Sequence, residues 1–173
     1  MSVNIKFDCA FDRMVKVNEL IPNPANPNQH PEEQIELFAR VIEYQGWREA
    51  IVVSKRSGMI VKGHGRLLVA KYLGLEEVPV DFQDYESETM ELADMMSDNR
   101  LAEMSYIDKR RLLNLFEEFD TGEVEFELSG YNDEFYRDLA HAFDEYEKKE
   151  EKEEDIEVKK TMICPSCGHE IEV

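Results

Sequence analysis

The residues with the clearest chemical potential are the Gly-His-Gly-Arg sequence at positions 63–66. They stand between a short apolar run, residues 59–61, and a stretch with helical periodicity. A strand that ends in glycine and leads into a helix leaves several backbone N–H groups unpaired and directed at one point, which suits an anion. His64 and Arg66 add side-chain donors that suit a phosphate. Glycine is also common at strand-to-helix turns because it makes the bend, so this segment alone leaves both interpretations open.

A second group of polar side chains lies in segment 98–103. Asn99 and Glu103 are four residues apart and therefore share a helix face, which suits the binding of Mg²⁺ beside a phosphate. Arg100 is a candidate phosphate ligand. A solvated helix face with a surface ion pair is the competing interpretation.

His64 and Glu103 are the candidate catalytic residues. The unperturbed pKa of imidazole, about 6.5, suits proton transfer near neutral pH. His64 is alternatively an exposed turn residue that caps the following helix. The asparagines of loop 22–31 fit turn chemistry, and His30 fits the positioning of the next helix.

The C-terminal sequence Cys164-Pro-Ser-Cys167-Gly-His169 is typical of a zinc knuckle, because its turn directs two thiolates at one ion. It supplies Cys164 and Cys167 to an ion that needs four ligands, with His169 as a third donor. The remaining ligands would come from a second subunit or a partner, which would make Zn²⁺ the link of a homodimer. Cys9 is not expected to contribute. A metal-free tail is the alternative.

These residues need a scaffold, and the hydrophobic pattern predicts one. Closely spaced prolines predict an extended loop over 22–31, followed by an amphipathic helix over 31–45. Apolar runs at 51–53, 59–61 and 78–82 predict strands, of which the first two form a hairpin.

Beyond residue 85 the pattern becomes helical. Ser87 is a predicted helix cap, and Ser105 with Asp108 has the spacing of a capping box. A third helix follows. Residues 144–160 are so rich in charge that they predict a solvated helix extension or a flexible linker.

The composition limits the classes of function. The 173 residues carry a net charge of −19, mostly in the C-terminal part, which argues against an autonomous, sequence-independent DNA binder. The chain has no 18-residue apolar stretch and no basic-then-apolar leader, so we expect a soluble, cytoplasmic protein with no membrane partner. Its three cysteines do not form the pattern of a secreted disulfide framework.

Four of these segments, in this order and spacing, resemble the ParB/sulfiredoxin superfamily, in particular the compact ParB-like domains met in phages and beside DNA methyltransferases. The segments are 20–30, Gly46-Trp47, Gly63-His64-Gly65-Arg66 with Ala70, and 97–103 followed by Asp108. The resemblance implies an α+β fold with a small mixed β-sheet flanked by helices, then a helical segment, an acidic linker and the knuckle-like tail. It also implies a nucleotide phosphate site at the helix that follows Gly63, and a divalent cation or closure over the nucleotide by residues 98–103.

Two departures from the superfamily narrow the expected activity. Partition proteins carry Glu-Arg-Arg in this box, whereas this chain has the single Arg66, which argues against CTP as the nucleotide. Sulfiredoxins require a cysteine in the box, and none occurs between Cys9 and Cys164, so their redox chemistry is excluded. The helix-turn-helix of partition proteins is not expected either.

We therefore predict a ParB-like core over residues 1–85, a helical segment over 86–143 that completes it, a charged linker over 144–160 and a knuckle over 161–173. The predicted function is a Mg²⁺-dependent NTPase or phosphotransferase in phage or mobile-element DNA modification, partition or regulation, with a nucleoside triphosphate or diphosphate bound. One alternative is a non-catalytic accessory protein that recruits a DNA-processing partner such as a methyltransferase. Another is a metal-dependent DNA nuclease. The predicted nucleotide-binding residues are Gly63, His64, Gly65, Arg66, Asn99 and Arg100.

Overall fold

The computed structural model describes residues 5–119, 125–157, 161–163, 165–168 and 170–172, and it divides after Ile107 into two units. The first unit contains β1 (Arg13–Lys16), α1 (Glu32–Gln45), β2 (Ile51–Ser54), β3 (Ile60–Lys62), α2 (His64–Tyr72), β4 (Glu77–Gln83) and α3 (Glu88–Met104). The second contains α4 (Lys109–Phe119), α5 (Asp133–Glu157), β5 (Thr161–Ile163) and β6 (Glu170–Glu172). Short 3₁₀ turns cover Val17–Glu19 and Phe126–Ser129.

The sheet of the first unit is mixed, which confirms the α+β class. Among the described residues its strand order is β1-β4-β2-β3. Strand β4 pairs antiparallel with β1 and parallel with β2, and β2 and β3 form the predicted antiparallel hairpin. The central strands are buried along most of their length, as expected where helices cover a sheet. Strand β1 was not predicted, because four residues give too short an alternation to recognise.

The hydrophobic core of the first unit packs α1 and α2 against the sheet. Its fully buried members include Trp47, Ile51, Ile60, Val69, Val78 and Val80. Each such side chain contributes about 1.5–3 kcal/mol by leaving water. Because Ile60 on β3 and Leu67 on α2 are both anchored in this core, the turn between them is held in place at both ends.

Capping residues set the limits of α1 and α3. Pro31, the predicted first residue of α1, occupies its N-cap position, so the helix begins one residue later than predicted, and Gly46 ends it. The hydroxyl of Ser87 accepts a hydrogen bond of 3.2 Å from the Met90 N–H, as predicted for a cap of α3.

The predicted capping box at Ser105 and Asp108 was wrong, because neither residue takes its predicted role. The Ser105 hydroxyl donates to the carbonyl of Ala102 at 2.8 Å, so Ser105 ends α3. The Asp108 carboxylate accepts hydrogen bonds from the backbone N–H groups of Arg110 and Arg111, both at 3.1 Å, and therefore caps α4 alone.

A buried carboxylate joins α3 to the β2–β3 hairpin. Glu91 is 2 % exposed, and its oxygens accept hydrogen bonds from the Ser54 hydroxyl at 2.8 Å and the Ser57 hydroxyl at 2.5 Å. The Arg56 guanidinium lies 3.3 Å away. Burial alone would raise the pKa of Glu91, but the hydrogen bonds from Ser57 and Ser54 and the charge of Arg56 outweigh it, so its pKa is lowered. The carboxylate is therefore ionised and fully satisfied inside the protein.

The second unit is built on a small aromatic core. Leu113, Phe116 and Leu139 are its buried members, and the Phe116 ring makes edge contacts with Phe126 and Tyr131 at 5.0 and 5.1 Å. Helix α5 continues without a break through most of the charged segment, to Glu157.

The C-terminal residues of the second unit form a hairpin. Strands β5 and β6 pair antiparallel, with Ile163 opposite Glu170, and Cys167 lies exposed in the turn between them. The predicted zinc ligand Cys164 and the third donor His169 lie outside the described residues.

Helix α5 is the longest described helix, and it is strongly charged. None of the helices that the structure describes is long and apolar enough to cross a lipid bilayer.

We expect Glu91→Ala to destabilise the first unit by about 3 kcal/mol, because the buried Ser54 hydroxyl, the half-buried Ser57 hydroxyl and a guanidinium lose their acceptor. The exposed Glu88, in the first turn of the same helix, is the matched control, and Glu88→Ala should cost less than about 0.5 kcal/mol. Urea unfolding at neutral pH measures both.

The same residue predicts an acid dependence. Because the pKa of Glu91 is lower in the folded protein than its usual value of 4.5, its contribution is present above that value and is lost as the pH falls below it. The variant Glu91→Gln should therefore lose less stability on acidification than the wild type. An identical loss in both proteins would contradict this role.

Candidate functional site

The turn between β3 and α2 forms one wall of a small polar pocket. Gly63 has a φ of 92°, in the left-handed region where other residues are strained, and a Cβ there would lie 3.4 Å from the Ile51 Cα atom. No side chain caps the start of α2, and the residues of its first turn line a cavity of about 160 Å³. The cavity is lined by Asn26, Asn28, His30, Phe38, Val61, Lys62, Gly63, His64, Gly65, Arg66, Asp98 and Asn99.

His64 is fixed by the proline-rich loop. Its Nε2 atom accepts a hydrogen bond of 3.1 Å from the backbone N–H of Asn23, so the proton of the neutral ring is assigned to Nδ1. Burial, and then the nearby His30 ring, lowers the pKa of His64 below its usual value of 6.5. At neutral pH the ring is therefore an uncharged donor, and a proton added at Nε2 would break its bond to the loop.

His30 lies directly above the start of α2. Its Nδ1 atom is 3.0 Å from the Gln34 Oε1 atom, one turn along α1, and a Cβ built on Gly65 would lie 3.1 Å from its ring. The absence of a side chain at Gly65 thus lets the imidazole approach the helix. Sequence analysis assigned His30 only to the positioning of α1, whereas the structure adds it to the pocket.

Arg66 is the predicted cation of the turn, and it already has a partner. Its guanidinium pairs with the carboxylate of Glu49 and lies 5.5 Å from the centre of the Phe38 ring. The side chain of Arg66 is 25 % exposed and that of Glu49 is 69 % exposed. Glu49 was not predicted as a site residue.

Lys62 is a second cation in the pocket, and sequence analysis missed it. Its Nζ atom lies 3.0 Å from an oxygen of Asp94 and 3.7 Å from one of Asp98. Burial alone would lower the pKa of Lys62, but the hydrogen bonds and charges of the two aspartates outweigh it and raise the pKa. Asp94 also accepts a hydrogen bond of 2.8 Å from the Tyr85 hydroxyl.

Helix α3 brings only part of its predicted set to the pocket. Asn99 lines the cavity, and its Nδ2 atom donates to the Met95 carbonyl at 3.2 Å, which leaves Oδ1 available. Arg100 and Glu103 do not line it; they are exposed and form an ion pair of 3.0 Å with each other.

The physical reason is the helical pitch. Residue 103 lies a turn beyond Asn99 along α3, and the helix leaves the pocket before reaching it. Asp98 occupies the pocket instead. Among the residues described, no group of three or more His, Cys, Asp or Glu side chains is arranged to hold a metal ion.

The position of Lys62 in the sequence could have identified it as a residue of the site. It is the last residue of β3, directly before Gly63, and Asp94 and Asp98 are four residues apart on one face of α3. No local signal identifies Phe38 or Glu49, because they reach Arg66 only through the packing of α1 and α2.

Comparison with known proteins gives a consistent result for this half of the chain. Residues 8–99 match the family described as the ParB N-terminal domain. A relative in Escherichia coli strain K12, the ParB-like nuclease domain-containing protein YnaK, is 33 % identical over 64 residues, which is 37 % of this chain and 72 % of that protein.

A solved structure shows the same fold at lower identity. The C-terminally truncated chromosome-partitioning protein ParB of Caulobacter crescentus, complexed with CTP-gamma-S, is 22 % identical, with a TM-score of 0.50 over 61 % of this chain and 60 % of that chain. The same protein complexed to the centromeric parS site is 17 % identical, with a TM-score of 0.44 over 74 % and 70 %. The chain thus spans about 60 % of the length of the first of these structures.

We expect Gly65→Ala to weaken anion binding without unfolding the protein. The new Cβ would meet the His30 ring at 3.1 Å, and this half-buried ring, held by one side-chain contact, can move away. Alanine in place of glycine favours a helix by about 0.5–1 kcal/mol, which offsets the crowding. His30 lines the cavity, and if its ring donates a hydrogen bond to a bound anion, the loss of that bond would weaken the binding of inorganic diphosphate about three- to tenfold.

Calorimetric titration of the single and double variants checks this route. If the effect passes through His30, Gly65→Ala should add nothing in a His30→Ala background. Additive losses would show that the new Cβ disturbs the anion directly.

Proposed function

This chain belongs to the ParB N-terminal domain family, and on that premise we propose that its pocket binds the phosphates of a nucleoside diphosphate or triphosphate. The observation that carries the proposal is the convergence on one cavity of the uncapped N-terminus of α2, the guanidinium of Arg66 and the ammonium of Lys62. Helix N–H groups and a planar guanidinium together match the geometry of phosphate oxygens.

Each predicted phosphate-side residue has a role in this arrangement. The N–H groups at Gly63, His64 and Gly65 would contact phosphate oxygens, and Arg66 would bind them in a bidentate manner. His64 would donate from Nδ1 as a neutral ring, a role that keeps its hydrogen bond to the loop intact. We propose this role for His64 in preference to acid–base catalysis.

The size of the cavity defines which part of the ligand it holds. About 160 Å³ is well below the ~300–1,000 Å³ typical of pockets that enclose a whole small ligand. The phosphates would therefore occupy the cavity, and the sugar and base would lie outside it.

We propose Mg²⁺ as the companion of the phosphates. Magnesium is held by one or two carboxylates together with substrate phosphates, and it prefers oxygen ligands. The carboxylate of Asp98 and the Oδ1 atom of Asn99 fit this donor set, since both residues line the cavity. In this proposal Asp98 replaces Glu103 as the acidic residue, and Mg²⁺ would neutralise charge on the phosphate oxygens.

The reaction class that suits these parts is Mg²⁺-dependent hydrolysis or transfer of a phosphoryl group. Such reactions depend on positioning and on fixed donors where negative charge builds up, which is what the turn and its two cations supply. We propose that this chemistry serves a DNA transaction of a phage or mobile element. A domain that binds nucleotide without turning it over, and recruits a DNA-processing enzyme such as a methyltransferase, is the alternative.

We expect Arg66→Ala to abolish nucleotide-dependent stabilisation. A ligand that binds only the folded protein raises its melting temperature, so ATP, ADP, CTP and GTP are compared by thermal shift with and without Mg²⁺. The loss of a charged hydrogen bond worth about 1.5–3 kcal/mol would weaken binding about 10- to 100-fold. Arg100→Ala is the matched control, because it removes the same charge from an exposed position outside the cavity.

An equal shift in the wild type and in Arg66→Ala would contradict the proposed site. Phosphate release from the bound nucleotide separates the enzyme from the non-catalytic alternative. Mg²⁺-dependent cleavage of DNA by the wild type would favour the nuclease instead.

For the C-terminal hairpin we propose a zinc site shared between two copies. The support is the CPxCG sequence, its place between paired strands β5 and β6, and the exposed Cys167 in the turn. Two thiolates from each chain would complete the tetrahedral set of four.

This arrangement predicts about one zinc ion per two chains, the four-thiolate stoichiometry of a structural site. Elemental analysis combined with the solution mass measures the ratio. The variant Cys167→Ser should lose both the zinc and the dimer, whereas Cys9→Ser should lose neither. A zinc-free protein that does not take up added Zn²⁺ would refute the site.

A further inference from the structure

The guanidinium of Arg66 already has an ion-pair partner in the folded protein. The partner is Glu49, a residue that neither the sequence motif nor the cavity lining includes. Glu49 contacts the Nη2 atom, which belongs to both edges by which a guanidinium binds an oxyanion in a bidentate manner, so a phosphate bound at the edge that Glu49 occupies displaces it. The two acceptors therefore compete for one cation.

We propose that Glu49 is the counter-ion that the ligand phosphate displaces, and that this exchange sets the affinity of the pocket. The inference rests on the proposed phosphate site and names a residue that tunes it. Glu49 contributes no contact to the bound ligand; it stabilises the unliganded state.

The exposures of the two side chains make the exchange feasible. Glu49 is 69 % exposed, so its released carboxylate returns to water with little change in solvation. Arg66 is 25 % exposed and would be poorly solvated without an acceptor. One acceptor must leave as the other arrives, and Glu49 is free to do so.

Phe38 keeps the guanidinium in place during the exchange. The Arg66 group lies 5.5 Å from the centre of this ring, within the range of a cation–π contact. Helix α1, which carries Phe38, is anchored in the core by Ile35, Ala39 and Ile42. The guanidinium of Arg66 would therefore already lie in the position in which it binds the phosphate.

The second cation of the pocket, Lys62, also has its charge neutralised by counter-ions. Lys62 is paired with Asp94 and Asp98, so both cations of the cavity are neutralised before a ligand arrives. Asp94 and Asp98 belong to a half-buried network on α3, whereas Glu49 belongs to a surface pair. Glu49 is therefore the counter-ion that leaves most easily.

The test compares the binding of inorganic diphosphate with Mg²⁺ to the wild type, Glu49→Gln, Arg66→Ala and Asp8→Asn by calorimetric titration. A surface ion pair of this kind has a strength that corresponds to a two- to fivefold effect, so Glu49→Gln should bind about two- to fivefold more tightly. Asp8 is the matched control, because it is paired with the neighbouring Arg48 at 3.6 Å and its neutralisation leaves Arg66 and Glu49 together. Asp8→Asn should bind as the wild type does.

The salt dependence of diphosphate binding distinguishes the proposed exchange from a purely structural role of Glu49. In the wild type, binding exchanges one ion pair for another, so added salt weakens both and its net effect is small. In Glu49→Gln a charged contact forms without one being broken. Its affinity should therefore fall more steeply between about 50 and about 200 mM NaCl.

The outcomes separate this inference from the proposed function. If Arg66→Ala loses binding while Glu49→Gln equals or falls below the wild type, the exchange is refuted and the phosphate site stands. An equal gain in Asp8→Asn would also refute it, because the effect would be one of net charge. If Arg66→Ala binds as the wild type does, the phosphate site fails and the exchange fails with it.

Discussion

The ionised carboxylate of Glu91 connects the two parts of the structure that form the pocket. It lies on α3 and accepts hydrogen bonds from Ser54 at the end of β2 and from Ser57 in the β2–β3 turn. A buried charge is tolerated only when its lone pairs are satisfied, so the helix has one position at which this network closes. Strand β3, which leads out of the hairpin, and helix α3 are thereby fixed against each other.

The position of Glu91 also determines where the later residues of α3 lie. Asp94 lies about one turn beyond Glu91 and meets Lys62 at the end of β3, and Asp98 and Asn99 follow one turn later at the cavity. The charges of the pocket are thus nearly balanced, with each cation held by carboxylates. In the proposed phosphate site, the affinity for an anion would depend on which counter-ion can leave.

Much of the fold could be predicted from the sequence, because its signals were local. The hairpin, the turn at Gly63 and the Ser87 cap each depend on residues within a few positions of one another. The prediction was wrong at Ser105, where two caps compete within four residues, and the one that forms depends on where α3 ends.

The candidate site could be predicted only in part. Residues 63–66 line the cavity as a contiguous segment, and Asn99 joins them. Glu103 was assigned from its helix spacing with Asn99, which says that residues share a face but not which way the face points. Glu91 and Glu49 carried no recognisable signal, since their partners are 37 and 17 residues away.

The sequence by itself determined the family and the segment that ends β3 and starts α2. Gly63 can adopt the left-handed backbone that this sharp strand-to-helix junction requires, so the turn forms from local residues alone. Only the tertiary structure decided which distant side chains reach that segment: His30 from its loop, Phe38 from α1 and Asp98 from α3. Their positions depend on long-range packing and on the buried hydrogen bonds of Glu91. Neither can be read from the spacing of residues along the chain.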